Sequence, residues 1–188
     1  MKPETSAASA DEIITNTRTW LEKAVIGLNL CPFAKAVHVH QRIRFCVSPA
    51  QTTADLLEDL ARELHALHAA DIQDCETTLL IHPYVLTDFL DYSCFLPTAE
   101  AKISKLGYAN EFQLASFHPH YQFSDAEPDD ITNYTNRAPY PTLHLLRASS
   151  IERAVAAFPD AADIYENNIE TLRQLGHAGW QRLWLHDD

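Results

Sequence analysis

The side chains able to do chemistry in this 188-residue chain gather in one polar passage and at two points upstream of it. The passage runs SFHPHYQFSDAEPDDITNYTNRAPYPTLHLLR, from Ser116 to Arg147. It carries His118, His120, Asn133, Asn136, Arg137 and His144, and it lacks the long apolar periodicity of its flanks. Upstream stand His82, directly after an apolar run, and Cys31, directly before Pro32. None of these residues falls in a standard catalytic signature, and neither GxGxxG nor GxxxxGK[ST] occurs.

Three readings of this set are open. In the first, His118 and His120 hold a metal. Residues two apart share one face of an extended strand, and paired imidazoles suit zinc, iron or copper. His82 or His144 would supply a third ligand, and Asp129 or Asp130 a carboxylate. In the second, no metal is needed. Arg137 offers a planar fork for a carboxylate or phosphate, and Asn133 and Asn136 donate and accept in fixed directions. His82, His118 or His144 would serve as general acid or base near neutral pH. Pro128, Pro139 and Pro141 would hold such a pocket in shape. That reading expects an enzyme acting on a small anionic substrate. In the third, the passage is scaffold or an interaction surface: Asn and Asp tie down their own backbone, Arg137 pairs Asp129 or Asp130, and His144 is a satisfied core histidine. Cys31 is a further catalytic candidate. A helix C-terminus there would raise its thiol pKa and favour an inert, buried thiol.

The elements that must position these residues follow from the pattern. Asp11 is placed to cap a helix with Ile14, Thr17, Leu21, Ala24 and Leu28 on one stripe, ended by Pro32. Residues 42–47 alternate as a half-buried strand. Thr52 and Asp55 open a helix with Leu57, Leu60, Leu64 and Leu67 inward and His65 and His68 facing solvent. The unbroken run 77–81 is a buried strand, so the two strands and their helix form a parallel, right-handed crossover. His82 then sits at a strand's carboxyl end, where ligands gather in open sheets. Residues 85–90 suggest a short helix, and Thr98 caps another that stops at Gly107. Strands at 112–117 and 142–147 flank the polar passage. Ser149 and Glu152 box a helix broken by Pro159. Asp160 opens the last helix, which stops at Gly176 and is followed by Trp180 and Trp184, docked on the body. The expected fold is α/β, with α+β as the alternative: a small mixed sheet of about four strands covered by helices. Residues 1–12 read as a disordered lead and 13–188 as one globular domain.

The totals narrow the partners. A net charge of −12 repels phosphate backbones and anionic membranes. No apolar run is long enough to span a bilayer, and the first residues have no apolar signal region. Four scattered cysteines in a chain of this size read as thiols. A cytoplasmic protein is expected, without nucleic-acid or membrane partners; the oligomeric state is open.

Several blocks carry a resemblance. They are TWLEKAVIGLNLCPFAKAV, TTLLIHPYVLTDFLDY, ASFHPHYQF and DDITNYTNRAPYPTLHLLR, the last running on into SIERAVAAFPDAADIYENNIETLRQLGHAGW. From about Thr19 to Trp180 the chain resembles the family catalogued as domain of unknown function 1415. The resemblance implies a bacterial single-domain protein and no particular activity. In the family pattern the third block reads His-Pro-x-Tyr-Gln-Phe, so His120 stands at its variable position.

Overall fold

The apolar run TTLLI forms strand β2 (Thr77–Ile81), and each of its residues is buried. The computed structural model describes residues 8–157 and 163–185. Strand β1 (Ile43–Val47) pairs with β2 in parallel. On the other side β4 (Thr142–Arg147) is antiparallel to β2, and β3 (Phe112–Phe117) is antiparallel to β4. The order is β1-β2-β4-β3, a mixed sheet in an α/β fold with the expected parallel first pair. Parallel neighbours need a crossover rather than a hairpin. Here it is helix α3 (Thr53–Ala69), capped by Thr52, whose hydroxyl accepts from the Asp55 N–H at 3.2 Å.

Alternation along the strands sends side chains to two layers. Leu80, Leu143 and Leu145 pack under α3 and α4 (Phe89–Lys105), against Leu56, Leu60, Leu64, Tyr92 and Phe95. Leu79 and Ile81 point the other way, towards Ile13 of α1 (Ala10–Trp20). Beside them Trp20, Leu21 and Ala24 meet Leu172 and Trp180 of α6 (Ile164–Arg182). Helices α2 (Ala34–Val39) and α5 (Ala148–Ala157) complete the described set. No helix among the described residues is long and apolar enough to cross a membrane.

Several elements depart from expectation. Ser9, not Asp11, caps α1, so residues 10–12 are helical. Its buried face is Ile13, Thr17 and Trp20, not Ile14, and continues through a π-helical segment, Leu21–Ile26. In α3 the core takes Leu56, with Leu57 only half-buried. The same helix buries Asp59 and Glu63. Ser48 Oγ donates to Asp59 at 2.5 Å and Arg44 Nε to Glu63 at 2.6 Å, so neither acid is buried unpaired. The two helices expected between 85 and 106 are one. Asp88 accepts from the Leu90 and Asp91 N–H groups and starts α4. Pro97 lies inside it on the exposed side, where water can take the Ser93 carbonyl that loses its partner. Thr98 is therefore interior rather than a cap. Helix α5 begins at Ala148, directly after β4 and ahead of the Ser149–Glu152 box. Pro159 and Asp160 lie outside the described residues. Gly176 does interrupt α6, at φ 63° and ψ 172°, and a second helical stretch beyond it carries Trp180.

Candidate functional site

Sheet register brings two of the expected histidines together. Ile81, Thr142 and Phe117 lie in one row across β2, β4 and β3. Strands β2 and β3 both run antiparallel to β4, so their carboxyl ends lie on the same edge. His82 and His118 each stand one residue beyond that row, on either side of β4. The His82 N–H donates to the Pro141 carbonyl at 3.0 Å and the His118 N–H to the Asn136 carbonyl at 3.1 Å. Tyr92 of α4 packs against both imidazoles, stacked on His82 at 5.7 Å and tilted to His118 at 5.1 Å between ring centroids. Its hydroxyl donates to the Thr142 carbonyl at 2.8 Å. Burial pushes the Tyr92 pKa up, so the phenol keeps its proton.

The bonds of the two imidazoles assign their tautomers. A carbonyl only accepts, so His82 carries its proton on Nδ1 and donates to Val85 at 3.0 Å. His82 Nε2 is then a bare acceptor, buried and without a hydrogen-bond partner among the described residues. Burial, reinforced by nearby His118, lowers the His82 pKa to about 4. His118 donates from Nε2 to the Leu86 carbonyl at 3.2 Å and accepts at Nδ1 from the His120 N–H at 3.0 Å. Burial also lowers its pKa, with the Leu86 carbonyl opposing. Two histidines from different strands thus hold consecutive carbonyls of one turn. Leu86 in that turn has φ 57°, a conformation a branched side chain rarely takes and one that surrounding bonds must enforce.

The remaining chemical candidates lie elsewhere. His120 is exposed, and its ring stands 6.0 Å from that of His118. Both His118 nitrogens are engaged, so His118 would have to give up a bond to ligate a metal. Among the described residues no group of three or more His, Cys, Asp or Glu side chains is placed to hold one. His144 points to the α1 face of β4 and packs on Phe117. Thr77 donates its one hydroxyl proton to the Leu145 carbonyl, so it accepts from His144 Nε2–H at 2.7 Å. Burial lowers the His144 pKa to about 4. Cys31 is half-buried in the turn before α2. Burial, not a helix C-terminus, raises its pKa, and the Phe33 and Ala34 N–H groups of the next turn pull it down.

Asn133, Asn136 and Arg137 serve the loop between β3 and β4. Asn133 is fully buried, accepts from the Phe123 N–H at 3.0 Å and donates to the Glu127 carbonyl at 2.8 Å. Asn136 donates to the Ser116 carbonyl at 3.1 Å. Arg137 pairs neither Asp129 nor Asp130. Its Nε–H donates to the Tyr121 carbonyl at 3.1 Å, one terminal nitrogen donates to the Pro128 carbonyl at 2.8 Å, and its plane lies over Tyr134 at 4.4 Å. Asp130 instead caps a 3₁₀ turn, Ile131–Thr135. His177 donates to the Asp129 carbonyl.

Arg137 also lines a cleft of about 320 Å³ that sequence reasoning did not find. Its other walls include Asn16, Trp20, Tyr134, Trp180 and Trp184. All three tryptophans of the chain are present. Tyr134 meets Trp180 edge to face at 4.9 Å, and Trp180 meets Trp184 edge to face at 5.6 Å. Neither His82 nor His118 lines this cleft, so Arg137 does not share a concavity with them. The missed signal was the stripe Ile13, Thr17, Trp20, Ala24, which turns Trp20 inward towards the tryptophans beyond Gly176.

The family model described as Protein of unknown function (DUF1415) matches residues 12–182. No curated protein matches the chain, and no solved structure does.

Proposed function

We propose that this chain, which belongs to the DUF1415 family, binds a small anionic molecule in the aromatic cleft, with Arg137 as the anchor. One observation carries the reading. Arg137 is a half-buried cation on the wall of a concave site, and no carboxylate stands within ion-pair distance of it among the described residues. A guanidinium has five N–H donors. Two are spent on the Tyr121 and Pro128 carbonyls, which fix its plane and leave the rest for a guest. An unneutralised charge in partly desolvated surroundings favours an anion.

Among the described residues the cleft wall has no His, Cys, Asp, Glu, Ser or Lys. That favours binding over chemistry at this site. An enzymatic reading, acting on the same class of small anionic substrate, would run through His82, whose unpartnered Nε2 is the one bare imidazole acceptor at the carboxyl end of β2. Both readings place the protein in the bacterial cytoplasm. The family resemblance, the four free thiols and the net charge of −12 support that placement and disfavour nucleic-acid partners.

Thermal melting of wild type and Arg137→Ala against phosphate, sulfate and short carboxylates tests the binding reading. A ligand at a hundredfold excess over its dissociation constant stabilises by about 2.7 kcal/mol. At least one anion should raise the wild-type melting temperature with occupancy, and Arg137→Ala should lose that response. Equal shifts in both proteins, or none in wild type, would remove Arg137 as an anchor.

A further inference from the structure

The cleft's own composition says more about the guest. This inference rests on the anion reading above and specifies its ligand: we infer that the cleft takes a planar aromatic monoacid, its ring among the tryptophans and its carboxylate at Arg137. Three observations converge. First, charge on the described wall is confined to one residue. Thr19 donates its hydroxyl to the Thr15 carbonyl at 2.9 Å, and Asn16 Nδ2 donates to the Tyr140 hydroxyl at 3.0 Å. Arg137 is left as the one charged group on the wall among the described residues. A polyanion such as a nucleotide phosphate chain carries several charges and is met by several cations or a helix N-terminus, whereas the described wall holds one cation. A single carboxylate can be met by one fork.

Second, four aromatic side chains, Trp20, Tyr134, Trp180 and Trp184, make up much of the rest of the wall, beside Pro119, Ala138 and Pro139. Tyr134, Trp180 and Trp184 follow one another edge to face, at interplanar angles of 70° and 66°. Aromatic quadrupoles favour this geometry, and it covers the face of only one ring in each pair. A planar guest ring can extend the series, whereas a puckered aliphatic ring of equal volume gains area contact alone. Third, the volume of about 320 Å³ is at the small end of the range for small-molecule sites, which limits the guest to a compact ring system.

The three tryptophans also provide the measurement, since every tryptophan in the chain lines the cleft. Full-length protein would be titrated with benzoate, cyclohexanecarboxylate, benzamide and acetate, following tryptophan emission and, independently, heat by calorimetry. Benzoate should bind about tenfold more tightly than cyclohexanecarboxylate, which matches it in charge and volume. Benzamide, which keeps the ring and drops the charge, should bind about tenfold more weakly than benzoate. Trp184→Ala, which truncates the most exposed of the three indoles (36% exposed), should bring the two acids close to equal affinity while keeping both. Equal binding of benzoate and cyclohexanecarboxylate to wild type would overturn the aromatic assignment and leave the anion reading standing. Benzamide binding as well as benzoate would overturn the monoacid assignment, as would no binding by any acid; the anion reading falls with it only if phosphate and sulfate also leave the wild-type melting temperature unchanged.

Discussion

His118 and Arg137 leave the same loop in opposite chemical states. His118 is packed against Tyr92 with both ring nitrogens engaged and its pKa lowered by burial. Arg137 spends two donors on carbonyls and holds its charge at the edge of an open cleft, with no acid partner among the described residues. Their sequence surroundings are equally polar, so residue type does not separate them. Position relative to the sheet does. A side chain one residue beyond a register row is roofed by the helix that covers the strands, here α4. A side chain on the loop's far flank is held by its own loop and faces a cleft walled by α1 and the segment beyond Gly176. The histidine row is thus a place where polar atoms hold a strained turn, and the cleft is a place where one remains available.

The largest expected effect that would test this contrast is acid sensitivity of the buried histidines, His82 and His118 in the row and His144 on the other face of β4. His82 and His144 have folded pKa values near 4 against an ordinary 6.5. Unfolded chains then bind protons that the folded protein refuses. Stability is whole above about pH 6.5 and falls as the pH drops towards 4, by up to about 3 kcal/mol per histidine. Urea midpoints from pH 7.5 to 4 measure it, and His82→Gln should remove only part of the slope, with His118 and His144 supplying the rest. A flat profile across that window would mean that neither ring is buried as the fold requires.

Next in size is His82→Ala. It removes a fully buried ring stacked on Tyr92 and leaves the Val85 carbonyl without its donor. A cost of about 3 kcal/mol is expected from chemical denaturation. A loss no larger than that of an exposed substitution would break the claim that the row is structural. Asn133→Ala should cost about 2 kcal/mol, because the Phe123 N–H and the Glu127 carbonyl both lose their buried partner. Hydrogen exchange should show the change confined to residues 121–137. Smallest in stability is Arg137→Ala, about 1 kcal/mol, since the carbonyls it releases lie near solvent. Its diagnostic effect is on anion binding, which the row variants should leave intact. An Arg137→Ala protein as unstable as His82→Ala would place Arg137 with the scaffold.

Much of this was legible in the residues. The run TTLLI has the pattern of a strand buried on both faces, and one amphipathic helix between two strands is the connection that a parallel pair needs. His82 follows at a carboxyl end because it directly follows that run. The blocks from Thr19 to Trp180 were enough to identify the family. Local patterns fix such things, since each depends on neighbours a few positions away. They do not fix contacts between segments that are distant in sequence. His82 meets His118 only because β4 lies between β2 and β3, an order no local pattern encodes. One helix runs through Pro97 because its lost hydrogen bond faces water while Tyr92, Phe95 and Ala99 are buried below. Arg137 bonds carbonyls rather than Asp129 or Asp130 because those acids are turned to the 3₁₀ turn and the loop's outer edge. The cleft joins Trp20 near one end of the chain to Trp180 and Trp184 near the other. Burial of apolar rings is non-directional. It says that such residues will be covered and leaves to tertiary packing which of them will share a wall.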